Sequence, residues 1–287
     1  MIEETDLQIE TSDGFVIHGR AWRPEGQVTD VVVIAGAMGV KQDFYAPFAA
    51  WLADQGMAAV TFDYRGMGAS RPPTLRGFSA TIVDWATKDC EALLAEVDRR
   101  FPEARVHWIG HSVGAQLFGL VPSRNRVHGM LSVAAGSGYW RYNARPLRYY
   151  VLSLWLLVMP LAIGVAGYFP GKKLKMVGDL PKGVAEQWRA WCLSRDYLGS
   201  NHAARERVAS SRTPIVALSM QDDEMMTLRG TRRLFELYEN APVEIRRVRP
   251  RELGVDRIGH FGFFRPNMKD SLWPMVPEWI GPSPLTQ

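Results

Sequence analysis

One stretch of the chain, residues 107–122, restricts the fold more than any other. It reads HWIGHSVGAQLFGLVP and contains the pattern Gly-x-Ser-x-Gly, with Ser112 between Gly110 and Gly114. A serine in this pattern lies on a turn so sharp that side chains at the flanking positions would clash with the neighbouring strand and helix. The stretch therefore predicts a strand, a tight turn that presents a hydroxyl, and a helix. The first amide of that helix, on Val113, would be free to bind an oxyanion.

Short apolar runs alternate with helical segments on both sides of this turn. Runs typical of strands buried on both faces of a sheet lie at 31–34, 58–62, 127–134 and 214–219. Helical segments lie at 44–55, 84–100, 228–239 and 272–280. The chain begins with a predicted hairpin, whose strands at 7–11 and 14–22 are joined by Ser-Asp-Gly. This alternation predicts an α/β fold with a mostly parallel sheet covered by helices on both faces.

Composition excludes several classes of protein and partner. A chain of 287 residues with 47% hydrophobic content can bury a large core and suits one α/β domain. The net charge is only +4, and no basic stripe with interleaved aromatics indicates nucleic acid. Cys90 and Cys192 do not suggest a disulfide framework, and no signal peptide is visible, so we expect a cytoplasmic protein. No metal-ligand spacing is present, and we expect neither a metal nor a cofactor.

A second motif, together with the serine turn and the order of elements, resembles a known superfamily. Residues 63–70 read DYRGMGAS. With the Gly-His-Ser-Val-Gly turn, this segment resembles the α/β hydrolases, most closely the branch of serine aminopeptidases and lysophospholipases. The resemblance covers nearly the whole chain and implies the α/β-hydrolase fold, but it indicates almost nothing about the substrate.

The resemblance also implies where a second oxyanion donor lies. The family commonly has His-Gly in the loop after the first central strand, whereas Ala35-Gly36 stands here. Because the donor in that loop is a backbone N–H, losing the histidine need not abolish the oxyanion hole. The amide of Ala37 or of Met38 would act beside that of Val113, and the sequence leaves the choice between the two open.

The alternation of strands and helices stops between residues 140 and 200, where aromatic residues are crowded. In the family fold this is a common place for an inserted cap. We therefore predict a core domain formed by residues 1–139 and 201–287, and a helical cap at 140–200.

Within the cap, residues 151–169 are uncharged and long enough to span a bilayer. A single span would place Ser112 and the residues after the cap on opposite sides of the membrane. Pro160 and Gly164 also favour two broken helices over one straight span. We expect an apolar lid over Ser112. The outer face of this lid could contact either a membrane surface or a second copy of the chain, and the sequence does not distinguish the two.

The remaining catalytic groups are a base and an acid. Serine is a weak nucleophile that needs a neighbouring histidine, itself oriented by a carboxylate. Among the six histidines, only His260 follows the last strand in a glycine-flanked loop, as the family order Ser, acid, His requires. The acid is Asp222 or Asp223. The family position, four residues before Thr227, favours Asp223, and we expect the other aspartate to cap or buttress the loop.

These residues predict a serine hydrolase that cleaves an ester, thioester or amide of a largely apolar small molecule through an acyl-enzyme intermediate. An acyltransferase would use the same triad, with an alcohol or thiol in place of water. A ligand-binding protein that keeps the fold without turnover is the alternative from a different class. The triad residues alone do not distinguish these functions.

Overall fold

Residues 2–280 are described by a computed structural model, in which eight strands form a single sheet. The strands are β1 (Glu3–Glu10), β2 (Val16–Arg23), β3 (Asp30–Ala35), β4 (Ala58–Asp63), β5 (Arg105–His111), β6 (Val127–Val133), β7 (Ile215–Met220) and β8 (Val243–Val248). Their order across the sheet is β1-β2-β4-β3-β5-β6-β7-β8. The β1–β2 and β2–β4 pairs are antiparallel, and every pair from β4 to β8 is parallel. This topology confirms the predicted mostly parallel sheet.

Helices cover both faces of this sheet. They are α1 (Ala46–Asp54), α2 (Ile82–Asp84), α3 (Glu91–Arg100), α4 (Val113–Gln116), α5 (Leu147–Ser153), α6 (Met159–Ala166), α7 (Lys182–Leu193), α8 (His202–Ala209), α9 (Leu228–Phe235) and α10 (Val276–Ile280). A π-helical turn, Trp85–Cys90, joins α2 to α3, so that the predicted helix at 84–100 is continuous.

Side chains of the central strand β3 alternate between the two faces of the sheet, as the strand period of two requires. Val31 and Val33 belong to one hydrophobic layer, and Val32 and Ile34 belong to the other. All four are buried. Because β3, β5 and β7 run in the same direction, the loops that follow them meet at one edge of the sheet, which we call the catalytic edge.

The segment predicted as the cap contains one long helix, Leu147–Ala166, which we call the cap helix, followed by α7. The predicted break at Pro160 is wrong. Instead a π-helical turn, Leu154–Val158, joins α5 to α6 just before Pro160. Proline cannot donate a backbone hydrogen bond, and a local change of helical register accommodates that loss without a break. The boundaries of the cap at residues 140 and 200 stay a prediction.

Candidate active site

Ser112 lies on the turn between β5 and α4, at the catalytic edge. Its backbone has φ 52° and ψ −112°, a region that residues with side chains rarely adopt. The neighbouring glycines allow this turn. A Cβ atom on Gly110 would lie 2.5 Å from the Cα of Ala115, and one on Gly114 would lie 2.1 Å from the carbonyl oxygen of Ala35. The turn thus has the geometry that the sequence predicts, and it brings the loop after β3 against the start of α4.

The acid and the base meet at this edge. The Nδ1 atom of His260 lies 3.1 Å from Oδ1 and 3.0 Å from Oδ2 of Asp223, and both side chains are buried. Because a carboxylate only accepts hydrogen bonds, Nδ1 carries the proton, and Nε2 of the neutral ring is left as the basic atom. The amides of Met225 and Met226 donate to Oδ1 of Asp223, at 2.7 Å and 2.8 Å, and hold the carboxylate in place.

Two further acids hold the loop that carries His260. Oδ2 of Asp222 accepts a hydrogen bond from the Ile258 amide at 2.8 Å. Oε2 of Glu224 accepts one from the His260 amide at 3.1 Å. Three successive acidic residues therefore bind three different groups of the same loop, and only Asp223 contacts the imidazole. The sequence predicts a buttressing role for Asp222 but not for Glu224.

His111, the residue before Ser112, connects the histidine loop to the loop after β3. Its Nε2 atom lies 3.0 Å from the carbonyl oxygen of His260 and so must donate. Its Nδ1 atom, 2.9 Å away from the Tyr45 hydroxyl, accepts from it. The Tyr45 oxygen in turn accepts from the Ala37 amide at 2.8 Å. Burial, reinforced by the nearby His260, lowers the pKa of His111 well below its usual value, so His111 stays neutral.

This hydrogen-bond chain was not predicted from the sequence, where His111 occupies the variable position of the motif. It bears on the oxyanion donors, because the Ala37 N–H is already bound to Tyr45. Within residues 2–280, the amides of Met38 and Val113 have no hydrogen-bond acceptor. Of the three predicted donors, these two are therefore the ones that the described part of the chain leaves unpaired.

Two of the atoms predicted to react are also unpaired in the described part of the chain. Ser112 is 8% exposed, and the described part of the chain offers its hydroxyl no hydrogen-bond partner. The same holds for Nε2 of His260, among residues 2–280. His260 lies beside the Ser112 turn, because His111, the residue before Ser112, binds the His260 carbonyl.

The DYRGMGAS loop fastens the core beside this edge. The Asp63 carboxylate accepts hydrogen bonds from the amides of Gln42 and Ala69 at 3.0 Å and 2.8 Å. Buried Arg65 forms ion pairs with Asp89 at 2.6 Å and with Asp13 at 2.7 Å. The motif that carries the family resemblance therefore has a structural role in this protein, because its polar groups bind one another and the core.

An apolar pocket lies between the cap and the acid loop. The volume of the cavity that it encloses is about 100 Å³. Its walls include Gly138, Asn143, Leu147, Val151, Leu154, Trp155, Phe169, Met176, Val177, Trp188, Cys192, Met225 and Met226. The last two follow Asp223 by two and three residues in the chain. A Cβ atom on Gly39 would lie 2.4 Å from the Gly178 nitrogen, so the cap backbone rests on the loop that carries Met38.

No metal site accompanies these groups in the described residues, 2–280, where no cluster of His, Cys, Asp or Glu could hold an ion. The groups that this arrangement offers are a hydroxyl, an imidazole, a carboxylate and backbone amides.

Comparison with known proteins agrees with this geometry. A soluble variant of monoglyceride lipase from Saccharomyces cerevisiae is 15% identical, with a TM-score of 0.68 over 96% of this chain and 93% of that one. An esterase domain from Rhodothermus marinus is 15% identical, with a TM-score of 0.57 over 97% and 100% of the two chains. An esterase from Pyrococcus furiosus is 14% identical, with a TM-score of 0.61 over 98% and 92%. These likenesses confirm the α/β-hydrolase fold.

No curated protein sequence matches the chain. A family model for the serine aminopeptidases S33, in contrast, matches residues 26–176, more than half of the chain. The match includes the DYRGMGAS loop, the Ser112 turn and the cap helix. The chain thus belongs to the serine aminopeptidase S33 family of α/β hydrolases, and it is a hydrolase.

Proposed function

We propose that this protein is a serine esterase that hydrolyses carboxylic esters with a largely apolar acyl or alcohol part. The observation that carries the proposal is the buried Asp223–His260 pair beside the strained turn of Ser112. In this proposal the three residues form a catalytic triad. The esterases and the lipase that share the fold support the choice of an ester over an amide or a thioester.

The reaction begins at the Ser112 hydroxyl. Nε2 of His260 removes its proton as Oγ attacks the ester carbonyl carbon, and the carbonyl oxygen becomes an oxyanion. The amides of Met38 and Val113 donate hydrogen bonds to that oxyanion. The intermediate then collapses, the carbon–oxygen bond to the alcohol breaks, and the proton on Nε2 passes to the departing alkoxide. A water molecule repeats the sequence on the acyl-enzyme and releases the carboxylic acid and free Ser112.

Asp223 and His111 position the base in this proposal. Asp223 holds the imidazole proton on Nδ1, which keeps Nε2 free, and it stabilises the imidazolium ion formed in each step. His111 holds the His260 carbonyl through its own Nε2–H. Because burial keeps His111 neutral, it adds no positive charge that would oppose protonation of His260.

The apolar pocket supports the substrate class. Its lining contains one amide side chain, Asn143, and no charged residue. A hydrocarbon chain that enters such a pocket gains roughly 0.8 kcal/mol per buried CH₂ group. A charged substrate would lose its hydration without a compensating partner.

A series of p-nitrophenyl esters from acetate to long-chain acids tests the proposal. We expect kcat/KM to rise by about threefold to fourfold for each added CH₂ until the pocket is filled, since each group contributes about 0.8 kcal/mol. Ser112→Ala should lower kcat by about 10⁴-fold to 10⁶-fold. Ser153→Ala, which alters an exposed serine of the cap helix, is the matched control and should retain full activity. Wild-type turnover by Ser112→Ala would overturn the proposed mechanism.

A further inference from the structure

The cap helix, Leu147–Ala166, is mostly apolar, but only one side of it is buried. Val151, Trp155, Met159 and Ile163 recur every fourth residue and pack into the protein core. The opposite side faces solvent, with Leu161 61% and Val165 81% exposed. The exposed apolar side chains of this face, which we call the outer face, are Tyr149, Tyr150, Leu156, Leu157, Val158, Leu161 and Val165.

The outer face is unusual within this molecule. Among the described residues, every large hydrophobic side chain that is highly exposed lies between residues 149 and 176, with the single exception of Val16 on β2. A contiguous apolar surface of this kind marks an interaction site, because a soluble surface rarely leaves so many large apolar groups in water together.

Positively charged residues flank the cap helix in the sequence. Residues 140–200 contain nine Lys or Arg against three Asp or Glu, a net charge of +6, whereas the rest of the chain has a net charge of −2. Arg145 and Arg148 lie at the start of the cap helix, and Lys172, Lys173 and Lys175 follow its end. In the described part of the chain, none of these five cations forms an ion pair.

We propose that the outer face docks on the surface of an anionic lipid bilayer. An apolar helix face with flanking Lys and Arg binds bilayers by inserting its apolar side chains below the headgroups while the cations contact anionic lipids. Tyr149 and Tyr150 suit the same depth, since tyrosine is enriched at the membrane–water boundary. This inference concerns binding and does not require that Ser112 be the nucleophile.

Two other ways to cover this surface fit the structure less well. A second copy of the chain would bring the same cations of both copies together around a two-fold interface, where like charges repel. A transmembrane span would need the whole circumference of the helix to face lipid. The cap helix is long and apolar enough for that, with a mean hydropathy of 2.0, but its inner residues are part of the core.

The cap helix that carries the outer face also lines the apolar pocket, through Val151, Leu154 and Trp155. Met176 lines the pocket and is 46% exposed, and Leu147 at the start of the cap helix lines it as well. A molecule docked through the outer face would therefore hold the pocket close to the lipid, where apolar esters concentrate.

Flotation of the full-length protein with vesicles tests the proposal. The Ser112→Ala variant is used so that no lipid is cleaved, and vesicles of phosphatidylcholine with phosphatidylserine are compared with vesicles of phosphatidylcholine alone. We expect binding to the anionic vesicles that weakens as salt is raised. Replacing Lys172, Lys173 and Lys175 together by Gln should lower the partition coefficient by about a hundredfold, since each cation near an anionic surface contributes about 1 kcal/mol.

The apolar contribution has its own matched control. Leu161→Glu with Val165→Glu should abolish binding, whereas Val16→Glu, at the other exposed position, should leave it unchanged. All three sites are exposed, so folding is kept, and circular dichroism checks this. Absence of binding to anionic vesicles, or equal loss from both variants, would overturn the proposal. The proposal would also be overturned if the protein formed a dimer without vesicles and the Leu161→Glu, Val165→Glu variant were monomeric. Membrane-bound protein that carbonate does not extract would overturn it as well.

Discussion

Different interactions hold the catalytic edge and the cap. At the edge, buried polar groups have defined partners. Asp223 binds the His260 ring, and His111 binds both the Tyr45 hydroxyl and the His260 carbonyl. In the cap helix, apolar contacts on one side hold the element, and the other side has none. Hydrogen bonds fix direction as well as distance, whereas apolar burial is not directional. The contacts at the edge therefore fix the orientation of side chains, whereas the contacts of the cap helix fix only its position.

The largest expected effect concerns the acid at the edge. Asp223→Asn should lower kcat by about 10⁴-fold, because an amide no longer holds the imidazole proton on Nδ1. Asp222→Asn is the matched control, since Asp222 contacts only the Ile258 amide and should cost far less. Steady-state kinetics on one ester compares the two variants. If Asp222→Asn proved the more damaging, the roles of the two aspartates would have to be exchanged.

The cap offers a matched pair on opposite sides of one helix. Met159→Ala removes a buried side chain and should lower the free energy of unfolding by about 2–5 kcal/mol. Leu161→Ala removes an exposed one and should change it by less than about 0.5 kcal/mol. Urea denaturation measures both. Similar losses from the two variants would mean that the outer face is covered in the folded protein in solution.

The hydrogen bonds of His111 provide the next comparison. His111→Phe leaves the Tyr45 hydroxyl and the His260 carbonyl without their partner, and each buried unpaired group costs about 1–3 kcal/mol. We expect a loss of stability of about 2–4 kcal/mol, less than two full penalties, because the Tyr45 oxygen still accepts from the Ala37 amide. His111→Gln keeps an N–H donor and should recover part of it. A Phe variant as stable as the wild type would show that the chain from Ala37 to His260 has no energetic role.

The smallest effect is a pH dependence. Burial lowers the pKa of His111 in the folded protein, so the unfolded chain binds a proton that the folded chain does not. The contribution of His111 to stability is complete above its unfolded pKa of about 6.5 and is lost as pH falls below it. Between pH 6 and 5 the stability of the wild type should therefore fall more steeply with decreasing pH than that of His111→Gln. Equal slopes in the two urea series would contradict a neutral, buried His111.

Sequence reasoning succeeded where the structural requirement is local. Gly110 and Gly114 are fixed by contacts within a few residues or with an adjacent strand, and the apolar runs of β3 and β4 report their own burial. The predicted helix break at Pro160 is wrong, because a single preceding π turn accommodates the proline without a break. Local propensity alone does not include such adjustments of register.

The oxyanion donor could not be chosen from the sequence for a different reason. A backbone N–H is present at Ala37 and at Met38 whatever their side chains are. They differ in that the Ala37 amide donates a hydrogen bond to the Tyr45 hydroxyl. Tyr45 is in turn bound to His111, which is far away along the chain. Contacts of that kind depend on the packed fold, and no short motif contains them.

Covalent labelling of the nucleophile is the most direct test of the proposed chemistry. Purified wild-type protein is treated with a fluorophosphonate, and its intact mass is measured. A reactive Ser112 predicts a single adduct per chain, located by peptide mapping to the segment around Ser112, and no adduct on the Ser112→Ala variant. Complete labelling of the alanine variant, or an adduct on another serine of the wild type, would contradict the assignment of Ser112 as the nucleophile.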